Sequence, residues 1–179
     1  QCDRMLWGLK PVEQQAAYGL AVTHLKQQIH MGMVLPGERL PAERKLAEQI
    51  GISRVTLREA LRVLEAEGYI SVRRGASGGA FAADEDQLRD MALKRLSSDP
   101  SGVLRIFEYR TAVEPLAAEL SAVRRTPGDL RRLDEALREI SQATNAGELR
   151  RGEAAFHLAI AQASANPYIV TSIEDALAS

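Results

Sequence analysis

The sequence predicts a mainly α-helical chain with one short β-hairpin in its first half, and three observations predict it. Apolar residues recur at helical spacing through almost every segment. One run, Tyr69–Arg74, is instead short, β-prone and followed by glycines. Aromatic residues make up only 4% of the 179 residues, so the cores rest on Leu, Ile, Val and Ala, which suit helix packing better than a sheet sandwich. A hydrophobic content of 45% is that of a folded globular chain rather than a disordered one.

The first helix is expected from Val12 to Ile29, where the apolar positions Ala16, Leu20, Val22, Leu25 and Ile29 recur at helical spacing, with Gly32 as its stop. Pro36 and Gly37 then mark a turn, and Pro41 is expected to open a short second helix that turns Leu46, Ala47 and Ile50 inward. Gly51 ends it, since glycine takes the left-handed conformation of a helix C-terminus at little cost. Only Ile52 separates Gly51 from Ser53, a good N-cap, so the second and third helices must cross. In the third helix Leu57, Ala60, Leu61 and Leu64 form one stripe, Arg58 and Arg62 lie opposite, and Arg54 stands at the N-terminal flank. After Gly68 the run Tyr69–Arg74, then Gly75, Gly78, Gly79 and Ala80–Ala82, reads as a hairpin with a glycine-rich tip. Helix, helix, tight turn, helix and hairpin in that order is the layout of a winged helix-turn-helix.

From Asp84 onward no strand signal returns. Helices are expected near Asp86–Leu96, Val103–Ala122, Gly128–Thr144, Leu149–Ala163 and Pro167–Ala178, with breaks at Ser97–Gly102, Arg125–Pro127, Asn145–Gly147 and Ser164–Asn166. The chain is therefore expected to divide into a DNA-binding domain at 10–83 and an all-helical domain at 84–179.

The net charge of -1 conceals an asymmetry. Residues 1–83 carry 11 Lys and Arg against 8 Asp and Glu, a net +3, and the remainder carries 12 against 16, a net -4. The single cysteine, Cys2, excludes a disulfide framework and a cysteine-based metal knuckle. No stretch approaches a membrane span and no charged-then-apolar leader opens the chain, so a soluble, cytoplasmic protein is expected. Nucleophile elbow and phosphate loop are both missing, and the glycines at Gly75–Gly79 are followed by no Lys-Ser/Thr, so an enzyme is not expected.

A helix that reads the major groove needs side chains for base edges near its N-terminus and cations for flanking phosphates. Ser53, Arg54, Thr56 and Arg58 supply that mixture, because arginine can donate to two guanine acceptors and hydroxyls serve bases or phosphates. Arg44 and Lys45, at the start of the second helix, are placed to hold the DNA backbone, and Arg73 and Arg74 to address the minor groove beside Gly75. Each arginine alone is ordinarily a solvated helix face; their confinement to the turn, the third helix and the hairpin argues otherwise.

The run LPGERLPAERKLAEQIGISRVTLREALRVLEAEGYI, followed by RRGASGGAF, resembles the DNA-binding domain of the GntR family across roughly residues 12–83. The resemblance implies that Arg44, Arg54, Arg58 and the wing around Arg74 and Gly75 contact DNA, with Ser53 and Thr56 assisting. It also implies a homodimer on an operator that is a short inverted repeat.

In the second half, EYRTAVEPLAAELSA at Glu108–Ala122 and EAAFHLAIAQASAN at Glu153–Asn166 resemble the FCD effector domain of the FadR subfamily. That resemblance implies an antiparallel helical bundle, expected here to be incomplete at its C-terminus, holding a small organic acid beside a divalent metal such as zinc. Glu153 and His157, four residues apart on one helix face, make half of a metal site. The family usually has Asp at the first position and later histidines for the rest. His157 is the last histidine here, and His24 and His30 belong to the first helix, so an incomplete or empty metal site is expected in this chain. Arg110 either faces a carboxylate effector with its planar fork or makes an i,i+4 ion pair with Glu114 on an exposed face. Arg131, Arg132 and Arg138, interleaved with Asp129, Asp134, Glu135 and Glu139, read as a solvated face. The expected function is a ligand-responsive regulator, a repressor, in which the effector shifts the relative placement of two winged domains. A rival within the same class lacks a working effector or metal site.

Overall fold

Helix α1 occupies Ala17–His30 in the computed structural model, which describes residues 17–75 and 78–178. Cys2, the expected helical start at Val12, and Ala16 lie outside the described residues, as do Ala76 and Ser77 at the hairpin tip. The remaining elements are α2 (Glu43–Ile50), α3 (Arg54–Ala66), β1 (Ile70–Arg73), β2 (Gly79–Ala82), α4 (Glu85–Ser98), α5 (Pro100–Arg124), α6 (Pro127–Gln142), α7 (Ala146–Ala163) and α8 (Pro167–Ala178). The chain is mainly helical, with one small antiparallel hairpin.

The first core gathers Leu25 and Ile29 of α1, Leu46 of α2, and Leu57, Ala60, Leu61 and Leu64 of α3, all buried. The α3 stripe is the one its spacing predicts. Gly51 caps α2 at φ 79°, and Ser53 caps α3 by accepting a hydrogen bond from the Thr56 amide at 3.0 Å. Pro41 lies outside α2: Ala42 is the N-cap, without a side-chain cap bond, and the helix begins at Glu43. In the hairpin Ile70 pairs with Ala82 and Arg73 with Gly79. Leu40 donates its amide to the Ala80 carbonyl at 2.8 Å and Arg39 bridges to Phe81, so a short extended segment borders the wing.

Leu88 on α4 is buried in this same core, which therefore extends past residue 83. The expected break at Ser97–Gly102 is far shorter in the fold. Asp99 alone joins α4 to α5, its carboxylate accepting from the Gly102 amide at 2.8 Å while Pro100 starts the new helix, a position where proline's missing N–H costs nothing. A second core, with Ala117, Ala161, Ile169 and Ile173 buried, joins α5, α7 and α8. Helices α6 and α7 meet backbone to backbone at Gly152, where a Cβ would lie 2.9 Å from the Ile140 nitrogen.

The two parts are packed directly together. Gly32, at φ 72° just past α1, abuts α7 so tightly that a Cβ would lie 2.9 Å from both the Arg151 nitrogen and the Gly147 oxygen. His30 lies between the parts: its Nδ1 is 3.2 Å from the Ala178 carbonyl of α8, and its Nε2 is 3.2 Å from the Tyr69 hydroxyl. A carbonyl only accepts, so Nδ1 carries the proton and Nε2 accepts from Tyr69. Among the described residues no helix is long and apolar enough to cross a membrane.

Candidate nucleic-acid interface and helical-domain site

The tight turn at Gly51–Ser53 presents the N-terminus of α3 beside α2, and this brings the sequence-predicted cations together. Arg54 and Arg58 remain 59% and 56% exposed in their side chains, both turned toward Glu43 of α2. The Glu43 carboxylate accepts from Arg58 Nε at 2.8 Å and lies 4.0 Å from Arg54 Nη2. Arg44 reaches Glu48 at 3.2 Å, and Lys45 is exposed. Exposed ion pairs of this kind contribute only about 0.2–1 kcal/mol each. Phosphate contacts can displace them, so these arginines are positioned without being sequestered.

The hydroxyls are less free than the cations. Ser53 Oγ accepts from the Thr56 amide and lies 2.8 Å from Thr56 Oγ1, so both side chains are engaged in the helix cap. In the wing, the Arg73 guanidinium sits 4.4 Å above the Phe81 ring, while Arg74 and Gly75 are exposed. Gly75 has φ 107°, and its carbonyl accepts from the Gly78 amide at 2.9 Å, which closes the turn. Arg39, which the sequence reasoning passed over, donates to the Gly78 carbonyl and ties the tip end of the wing to the segment before α2. Glu43 was missed too: an acidic residue carries no signal of its own in a search for basic clusters.

In the helical part, Arg110 and Glu114 of α5 converge with His157 of α7. Arg110 Nε donates to Glu114 Oε1 at 2.5 Å, His157 Nδ1 is 3.3 Å from Glu114 Oε2, and Arg110 Nη2 is 3.3 Å from His157 Nε2. Arg110 cannot accept, so it donates to Nε2, and Nδ1–H donates to Glu114. Of the two readings of Arg110, the ion pair with Glu114 is the one formed, with one correction: it is not on an exposed face, each side chain being only 25% exposed. The three residues line a cavity of about 400 Å³ with Phe107, Pro115 and Ile160 among its apolar walls.

Glu153 is exposed, and the carboxylate beside His157 is Glu114. Among the described residues no group of three or more His, Cys, Asp or Glu side chains could hold a metal ion. Both ring nitrogens of His157 have protein partners, one of them a cation, so these residues do not fit a divalent metal.

Asp129, expected on a solvated face with Arg131 and Arg132, is buried instead. It caps α6, accepting from the Thr126 amide and hydroxyl at 2.7 Å each and from Arg132. The amide bond, then the hydroxyl and Arg132, hold its carboxyl below the ordinary Asp value.

Comparison with known proteins adds to this geometry. Residues 17–78 match the family model described as bacterial regulatory proteins, gntR family, and residues 105–179 match that of the FCD domain. The Uxu operon transcriptional regulator of Escherichia coli K12 is 37% identical over 141 residues, 75% of this chain and 53% of that protein. The HTH-type transcriptional regulator LutR of Bacillus subtilis 168 is 34% identical over 139 residues, 77% of this chain and 64% of that protein. The putative L-lactate dehydrogenase operon regulatory protein of E. coli K12 is 38% identical over 136 residues, 73% and 52% of the two chains. The chain thus spans about half to two thirds of the length of these curated relatives. Among solved structures, E. coli McbR/YncC is 29% identical, covers 91% of this chain and 71% of its own, and superposes with a TM-score of 0.47.

Proposed function

We propose that this chain, which joins a GntR-family region to an FCD domain, is a sequence-specific DNA-binding transcription regulator, a repressor, whose operator affinity is set by a small organic acid. The observation that carries the reading is α3 itself: its apolar stripe is buried in the first core while Arg54 and Arg58 stand exposed beside the tight turn. Arg54 and Arg58 would read base edges and phosphates, Arg44 and Lys45 would hold the backbone, and Arg74 with Gly75 would enter the neighbouring groove. Ser53 and Thr56 contribute by fixing the helix start. Two copies on an inverted repeat would place two such helices in successive half-sites. We place the reader at residues 10–83, the helical domain at 84–179, and the protein in the cytoplasm.

The FCD part supplies the sensor, and its two quoted segments favour the FadR-like branch. Arg110 is the group that would take an effector carboxylate. Exchanging Glu114 for the effector would free His157 from its present partner and alter the α5–α7 contact. No step is routed through a metal. One relative is named for an L-lactate dehydrogenase operon, so L-lactate heads the panel of small hydroxy and keto acids to test. The reading expects at least one of them to change operator affinity by about 5–150-fold, the ordinary range of a coupling energy, and Arg110→Gln to abolish that response. Operator binding that ignores the whole panel would favour the rival regulator without a working effector site.

A further inference from the structure

The wing has a third edge, supplied by the segment before α2. Glu38 accepts from the Ala82 amide at 2.9 Å and Leu40 donates to the Ala80 carbonyl at 2.8 Å, which sets Arg39 opposite Phe81. Directly opposed residues share a face, as do alternate residues of one strand. Arg39, Phe81 and Gly79 therefore stand on one side of the wing, together with Arg73, the register partner of Gly79. On that side the Arg73 guanidinium covers the Phe81 ring. Arg39 takes the neighbouring space over Gly79, where an added Cβ would lie 2.8 Å from its Nε, and from there Nη2 donates to the Gly78 carbonyl at 2.5 Å. Gly78 is in turn pressed on the opposite limb of the turn: a Cβ on it would lie 2.8 Å from the Gly75 oxygen and 2.9 Å from the Arg74 carbonyl carbon. Both glycines thus mark close approach, one to a side chain from outside the hairpin and the other to the backbone of Arg74.

We propose that Arg39 is the positioning residue of the wing: it holds the Gly75–Gly78 turn by the Gly78 carbonyl and so fixes the backbone from which Arg74 reaches DNA, without contacting DNA itself. The bond from the Gly78 amide to the Gly75 carbonyl closes the turn but leaves its direction open. Arg39 comes from outside the hairpin, so its bond sets the turn against the rest of the domain, and a charged donor makes that bond stronger than a neutral one. A wing held in place before binding spares the cost of ordering it on the duplex. The consequence for DNA rests on the regulator reading, whereas the hold on the turn does not.

Two measurements test it, one of them without DNA. In NMR relaxation of the free chain, the Gly75 and Gly78 amides are expected to show order parameters near the rigid-backbone value of about 0.85, and to fall below about 0.6 in Arg39→Met. The Ala60 and Leu64 amides of α3 should stay unchanged, the sign that the variant is folded. In operator binding, Arg39→Met and Arg74→Ala are each expected to weaken affinity roughly tenfold, the scale of one charge-assisted contact, and to reduce the salt slope by about 1. The double variant is expected to be no weaker than Arg74→Ala, because the same contact can be lost only once. Unchanged order parameters in Arg39→Met would overturn the proposal. So would full additivity of Arg39→Met with Arg74→Ala, the signature of an Arg39 that holds a phosphate of its own. Absence of specific binding by the parent chain would count against the regulator reading instead, and the relaxation result would still decide whether Arg39 holds the turn.

Discussion

Replacing Gly32 by alanine tests the packing of the two parts, and Gly51 provides a control within the same chain. Both glycines follow a helix and both have left-handed backbones, at φ 72° and φ 79°. An alanine in that conformation costs about 1–2 kcal/mol at either site. The surroundings differ: a Cβ at Gly51 meets nothing within 4 Å, whereas at Gly32 it would lie 2.9 Å from two α7 backbone atoms. Backbone cannot rotate aside as a long side chain can, so the overpacking adds about 1–3 kcal/mol. Gly32→Ala is therefore expected to be less stable than Gly51→Ala by that increment. With a urea slope of about 1–3 kcal/mol/M, the two unfolding midpoints should separate by roughly 1 M. Equal midpoints would refute the close seam between α1 and α7.

Three further outcomes are expected. Ser53→Ala removes the acceptor of the Thr56 amide and should cost about 1 kcal/mol in chemical denaturation. Burial, opposed by the Ala178 carbonyl and reinforced by Arg95, Arg150 and Lys26, lowers the His30 pKa. The unfolded chain then binds the proton more readily, so stability is full above about pH 6.5 and falls as pH drops toward the folded value; His30→Phe should flatten that slope in denaturation curves between pH 7.5 and 5. The Asp129 carboxyl is held low by its Thr126 and Arg132 partners, so its contribution is present above the ordinary carboxylate range and lost as pH falls through the lower folded value. Asp129→Asn should therefore be less stable than the parent chain near neutrality and equal to it in strong acid, as thermal melts across that range would show.

Local signals carried much of the fold. The α3 stripe, the Gly51 stop and the Ser53 cap are neighbours in sequence, and each has one cheap conformation that agrees with the others. The α4–α5 joint was misjudged because Ser, Pro and Gly at 97–102 resemble a loop, while Asp99 and Pro100 together make an efficient helix start. Asp129 was misplaced for a related reason: it stands among arginines in the sequence, but its position three residues after Thr126 makes it half of a capping box. The helical site was legible only in part. Glu153 and His157 share a helix, yet the partner of His157 is Glu114, on another helix and 43 residues earlier in the chain. Helix α5 displays Leu104, Phe107, Leu116 and Val123 to solvent, so its sequence did not announce which face would meet α7. His30, set aside as part of the first helix, reaches both Tyr69 and Ala178 because α8 returns to the end of α1.

The central claim is that α3 reads DNA, and a mobility shift on the DNA upstream of this protein's own coding sequence tests it most directly, at two salt concentrations and with the Arg54→Ala, Arg58→Ala pair alongside. Binding that prefers this DNA over a scrambled duplex, weakens with salt, and is lost in the double variant is the predicted result. Salt-sensitive binding with no sequence preference, unchanged by the two substitutions, would contradict it.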